Sequence, residues 1–124
     1  MSLIVNQMLL VGRLTRPPEL RYTTNEGVAM TRFMLAVNRS FKNNEGEYDV
    51  DFIPCTAWRT LAETTAEYCE KGSLVAVTGR LRSYTFESDN GQKVEQLEIV
   101  ASSVQFLESK EVREKRKAQQ TPFS

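Results

Sequence analysis

Apolar and polar residues alternate with a period of two along most of this 124-residue chain, and turn-forming clusters cut the alternation into five long segments. The first, "IVNQMLLVGRLT" (4–15), carries Gly12 where the chain kinks or another backbone comes close. "RPPE" (16–19) breaks it, and "LRYT" (20–23) is a short extended piece ending in the "TTNEG" turn. The second long strand spans 28–41, with Phe33, Leu35 and Val37 on one face. After the "KNNEGE" connection (42–47), the third spans 48–59. There Phe52, Thr56 and Trp58 share one face, and Ile53, Cys55 and Ala57 share the other, which is small, apolar and suited to a core. Pro54 cannot donate to a ladder, so this strand is expected at an edge or bulged at that point.

The period changes at 60–72, where Leu61, Ala62, Thr65, Ala66 and Cys69 fall at helical spacing and Lys71 and Gly72 supply a stop. Alternation returns at 73–86, with Val75, Val77, Gly79 and Leu81 facing a core and Arg80, Arg82, Tyr84 and Phe86 facing away. The "ESDNGQ" turn leads to a last strand at 93–107, whose buried face is expected to hold Leu97 and Ile99. Five long strands with one helix between the third and fourth predict an all-β domain with a single helix, the five-stranded OB-fold barrel in which the helix plugs one end. The expected division is a barrel domain over 1–107 and a charged, solvated tail over 108–124, partly disordered or partly helical.

Composition narrows the function classes. The chain is 40% hydrophobic and 26% charged, no apolar run approaches the roughly 18 residues of a membrane span, and "MSLIVNQMLL" lacks a basic lead. A cytoplasmic protein without membrane insertion is the expectation. Basic and acidic residues cancel to a net charge of zero, with the tail mildly basic, so a polyanion partner must be argued from placement and not from bulk charge. There is no histidine, and Cys55 and Cys69 lack metal-site spacing. Both cysteines read as free packing thiols, zinc chemistry and histidine catalysis are excluded, and no other catalytic arrangement is recognisable.

The outward faces carry a different signal. Phe52, Trp58, Tyr84 and Phe86 point away from the core by parity, and Phe41 stands near a loop tip where no core is available, although it nominally continues the Phe33, Leu35, Val37 face. A strand that outruns its barrel, or one that carries a bulge, would turn Phe41 outward. Arg39, Lys42, Arg59, Lys71, Arg80 and Arg82 stand among or beside these rings. Interleaved rings and cations on strands suit a single-stranded nucleic acid, whose bases stack on the rings while its phosphates meet positive charge. Each piece also has a plainer reading: Trp58 as core or interface, Arg80 and Arg82 as a solvated face paired with Glu95 or Glu98, and the whole surface as a protein-docking site.

The segments "VNQMLLVGRLTRPPELRYT", "FMLAVNRSF", "WRTLAETTAEYCEKGSLVAVTGRLR" and "SYTF" resemble, in that order and from about Val5 to Leu107, the bacterial single-stranded DNA-binding proteins of the tetrameric OB-fold type. The resemblance implies a non-enzymatic homotetramer without cofactors. Single-stranded DNA would wrap over it and stack on Phe41, Phe52, Trp58 and Phe86 during replication, recombination, repair or DNA uptake. In some members the first, second and fourth of these are tryptophan and the third phenylalanine, so the pattern here is partly exchanged. Family members usually end in several acidic residues and a Pro-Phe pair that recruits protein partners. Here Pro122 and Phe123 follow "KRKAQQT" with no acidic tip, so partner recruitment by the tail does not carry over.

Overall fold

The computed structural model describes residues 5–108. Of the expected charged tail only Glu108 is described; the rest, with its Pro-Phe pair, lies outside the described residues. Six strands and one helix follow in the order β1 (Met8–Leu14), β2 (Glu19–Tyr22), β3 (Ala29–Lys42), β4 (Tyr48–Trp58), α1 (Arg59–Tyr68), β5 (Leu74–Glu87) and β6 (Lys93–Phe106). The sheet runs β1-β5-β6-β4-β3-β2 and closes on itself where β1 also pairs with β3, at Arg13↔Ala36 and Leu14↔Leu35. Five strands thus form the barrel, with β2 as a short sixth strand on the outer edge of β3, and α1 follows β4 as the OB architecture requires.

The inward alternation holds through the barrel wall. Leu14, Phe33, Leu35, Cys55, Ala57, Val75, Val77 and Ile99 form one buried cluster, and α1 adds Ala62 and Thr65 from the end. Gly12 is a close-approach glycine, since a Cβ there would lie 2.4 Å from the carbonyl oxygen of Ala36. The helix stops at Tyr68, earlier than the expected stop at Gly72. Cys69 is already extended and turns its thiol into the core, while its N–H bonds the carbonyl of Thr65 at 2.9 Å. Gly72, at φ 87, instead turns the chain into β5, and its N–H reaches the carbonyl of Leu14 at 2.8 Å.

Three expectations need correcting. β4 is not an edge strand, and its ladder to β3 passes through Pro54 without a register shift. Proline is accommodated because β4 meets β6 only at Cys55↔Ile99 and Thr56↔Val100, leaving the other side of residue 54 open. Leu81 and Leu97 are not core: they are 38% and 55% exposed. β1 accompanies β5 only as far as Met8↔Gly79, and the β5–β6 ladder shifts register at Gly79. Beyond that point β1 no longer lies beside β5, and the far part of the β5–β6 hairpin extends past it as an arm. The first strand begins at Met8 and not at residue 4. Ahead of it the Asn6 side chain bonds the backbone of Leu81 twice, at 2.7 and 2.8 Å, as a strand residue would.

Both cysteines are buried and neither forms a disulfide. Burial, with a smaller contribution from the negative charge of Glu98, pushes the Cys55 thiol from an ordinary 9.0 to about 12. The folded state therefore disfavours thiolate. The resulting stability is intact below pH 9 and is lost as pH rises from there through about 12. Neither cysteine is expected to react with a thiol dye at pH 8 until urea unfolds the chain. The urea midpoint should also fall more steeply above pH 9 than it does in Cys55→Ala. Rapid labelling of the native protein at pH 8 would show the barrel to be open.

Candidate nucleic-acid interface

β3 and β4 pair antiparallel with Met30↔Trp58, Arg32↔Thr56, Met34↔Pro54 and Ala36↔Phe52, so these residues share the outer face. Across β6, Thr56 pairs with Val100, and on the β5 side Arg82 opposes Glu98, Tyr84 opposes Gln96 and Phe86 opposes Val94. The Arg32 guanidinium carbon lies 5.7 Å from the centroid of the Tyr84 ring, which joins the β3 side of this surface to the β5–β6 arm. One face thereby carries Phe52 and Trp58 from β4 and Arg82 and Tyr84 from β5, with Phe86 6.1 Å from Tyr84 between ring centroids. A groove lined by Arg16, Arg32, Met34, Pro54, Tyr84 and Glu98 runs between them.

The rings are solvent-facing where the core reading would have buried them. Phe52 is 62% exposed and Phe86 43%, while Trp58 and Tyr84 are half-buried. Trp58 lines a second hollow with Thr23, Glu26, Val28 and Arg59. Arg59 has φ 60, the one non-glycine residue among those described with positive φ, a conformation that costs a residue bearing a Cβ about 1 to 2 kcal/mol. It allows the helix to begin directly after Trp58.

Phe41 is 82% exposed near the tip of the β3–β4 hairpin. The ladder shifts register between Asn38 and Lys42, and this takes Phe41 off the inward face of Phe33 and Leu35. Lys42 lies 5.7 Å from the Tyr48 ring centroid. Arg39 is held by Asp51, whose carboxylate oxygens accept from it at 3.0 and 3.2 Å, and Asp49 stands 4.0 Å away. The bonds and charge of Asp51 raise the Arg39 pKa further.

Among the cations, Arg82 donates to Glu98 at 2.6 Å, the pairing anticipated as its plainer reading. Arg80 is exposed, at the root of the arm opposite Val100. The fold does not bring Lys71 into the cluster. It lies on the turn after α1, whose next residues Gly72 and Ser73 pair with Leu14. Two members of the face were missed from sequence: Arg32, and Glu98 as a buried member in its own right. The signal for Arg32 was available, since it sits between the buried Thr31 and Phe33 on a strand whose alternation was already read.

Residues 5–107 match the single-strand binding protein family. The chain is 54% identical to single-stranded DNA-binding protein 3 of Listeria innocua over 87% of its own length and 67% of that protein. It is 52% identical to a single-stranded DNA-binding protein of Halalkalibacterium halodurans, over 85% of its own length and 62% of that protein. With single-stranded DNA-binding protein B of Bacillus subtilis it shares 51% identity, covering 85% of this chain and 92% of that one. The chain thus spans about two thirds of the first two relatives and nearly the whole of the third. On a match that runs through every strand of the barrel, this chain belongs to the single-strand binding protein family.

Proposed function

We propose that this protein binds and protects single-stranded DNA with little sequence preference, in replication, recombination, repair or DNA uptake. The observation that carries this reading is the continuous outer face on which Phe52, Trp58, Tyr84 and Phe86 stand exposed or half-exposed among guanidinium groups, with Phe41 on the adjoining hairpin. Bases stack on the rings, and phosphates meet cations at the edges: Arg80 on the arm, Lys42 and Arg39 on the hairpin, Arg59 beside Trp58. Stacking dominates, because the net charge is zero and an exposed charge contact is screened at physiological salt. The family is one of DNA-binding proteins and not of enzymes, and the reading calls for no cofactor.

Self-association into a homotetramer belongs to the same proposal. Leu9 and Val11 on the outer face of β1 are 67% and 48% exposed, an apolar strip on a strand whose inner face is already in the core. A cytoplasmic site of action at the nucleoid is part of the same proposal; no helix among the described residues is long and apolar enough to cross a membrane.

Titration with an oligothymidine strand and with duplex DNA, each at low and high salt, tests the function. The expected result is tight binding to the single strand alone, weakening with a log-log slope of about −0.7 per phosphate neutralised. Light scattering of the same sample is expected to give four chains per particle. Equal affinity for duplex and single strand would refute the reading and turn attention to a protein partner for the aromatic face.

A further inference from the structure

In the middle of the face just described lies a buried carboxylate. Glu98 is 2% exposed, and both of its oxygens are engaged: Oε2 accepts from Thr56 Oγ1 and Oε1 from Arg82 Nη2, each at 2.6 Å. Thr56 is on β4 and Arg82 on β5, so the carboxylate of β6 ties together the three strands that build the floor. The guanidinium carbon of Arg82 also lies 5.9 Å from the Tyr84 ring centroid, and Arg32 is 5.7 Å from that same ring.

A guanidinium held in this way is poorly placed to capture phosphate. To do so it would leave Glu98 with only the Thr56 hydroxyl, and an unpaired buried carboxylate costs far more than a solvent-screened phosphate contact returns. Arg80, two residues earlier on the same side of β5, is exposed and has no acidic partner among the described residues. The two arginines that look equivalent in "GRLR" are therefore unlike.

We infer that Glu98 is a positioning residue: it withholds Arg82 from phosphate and holds it over the Tyr84 ring, where the guanidinium fixes that ring as a stacking surface for a base. Arg80 is the arginine of this strand that meets phosphate. The inference rests on the single-stranded DNA reading and corrects the expectation that both arginines act as phosphate contacts.

The test is the salt dependence of oligothymidine binding in the wild type, in E98Q and in the double variant R82Q/E98Q. The double variant keeps the net charge and removes both partners together, which spares the fold the penalty of an orphaned charge. Its log-log slope is expected to equal that of the wild type, with weaker binding at every salt concentration. In E98Q, Arg82 is released, and the slope should steepen by about 0.7, one phosphate's worth. A slope in the double variant shallower by about 0.7 would overturn the inference, since Arg82 would then have been neutralising a phosphate. So would an E98Q slope equal to that of the wild type. Should E98Q fail to melt cooperatively, the double variant alone decides between these outcomes. A wild type that does not bind the single strand at all is a different failure, that of the proposed function itself.

Discussion

Gly12→Ala is expected to destabilise the barrel by about 3 kcal/mol, the upper part of the range for an added methyl that cannot be accommodated. The new Cβ would lie 2.4 Å from the carbonyl oxygen of Ala36 and 3.0 Å from Leu35 Cγ. The nearer obstacle is backbone, which no rotamer change relieves. The site is also the seam of the fold: β1 and β3 close the barrel through only Arg13↔Ala36 and Leu14↔Leu35, and forcing β1 outward at residue 12 strains both pairs. For a domain of about 100 residues the loss corresponds to a melting temperature lower by roughly 12 to 24 °C. Gly27→Ala is the control, because a Cβ there meets nothing within 4 Å and the cost is only that of φ 65, about 1 to 2 kcal/mol. Equal melting temperatures for Gly12→Ala and the wild type would mean that β1 and β3 are not held in the close contact described.

Strand alternation made the barrel wall legible because a period of two is a purely local property, and Leu35, Cys55, Ala57, Val75 and Val77 follow it into the core. What alternation does not carry is where a wall ends. Leu81 and Leu97 keep the inward parity of Val77 and Ile99, yet they are exposed because β1 has stopped covering β5, a fact about a strand some 70 residues away in sequence. The same limit applied at Phe41, whose parity was inward until a register shift of the β3–β4 ladder freed it. Pro54 shows the converse. A rule about single strands pointed to an edge or a bulge, and the parallel β4–β6 contact, only two residue pairs long, removed the need for either. Of the site, the rings on β4 and β5 were legible individually, since each faces away from an apolar neighbour. Their convergence was not, because it depends on Thr56, Glu98 and Arg82 meeting across three strands. Charge was read least well: counting cations could not distinguish Arg82, held by a buried carboxylate, from Arg80.

Replacing Phe52 and Trp58 together by alanine is expected to give the largest loss of DNA affinity of any pair on the face. A base stacked on an aromatic contributes about 1 to 3 kcal/mol by alanine substitution. The two residues are six apart on one strand, about 20 Å, and share no contact. Their losses should therefore add to about 2 to 6 kcal/mol, a weakening of roughly 30-fold to more than 10⁴-fold. Stability should respond unevenly. Phe52 is 62% exposed and its removal leaves the core untouched, whereas half-buried Trp58 stands directly before α1, and its loss is expected to lower the melting temperature by several degrees. Because the substitutions remove no charge, the log-log salt slope should stay at its wild-type value while affinity falls at every salt concentration. This combination separates stacking from electrostatics on one surface. A double variant that binds oligothymidine as the wild type does would place the DNA elsewhere, whereas one that melts at a much lower temperature with unchanged affinity per folded molecule would return Trp58 to the core.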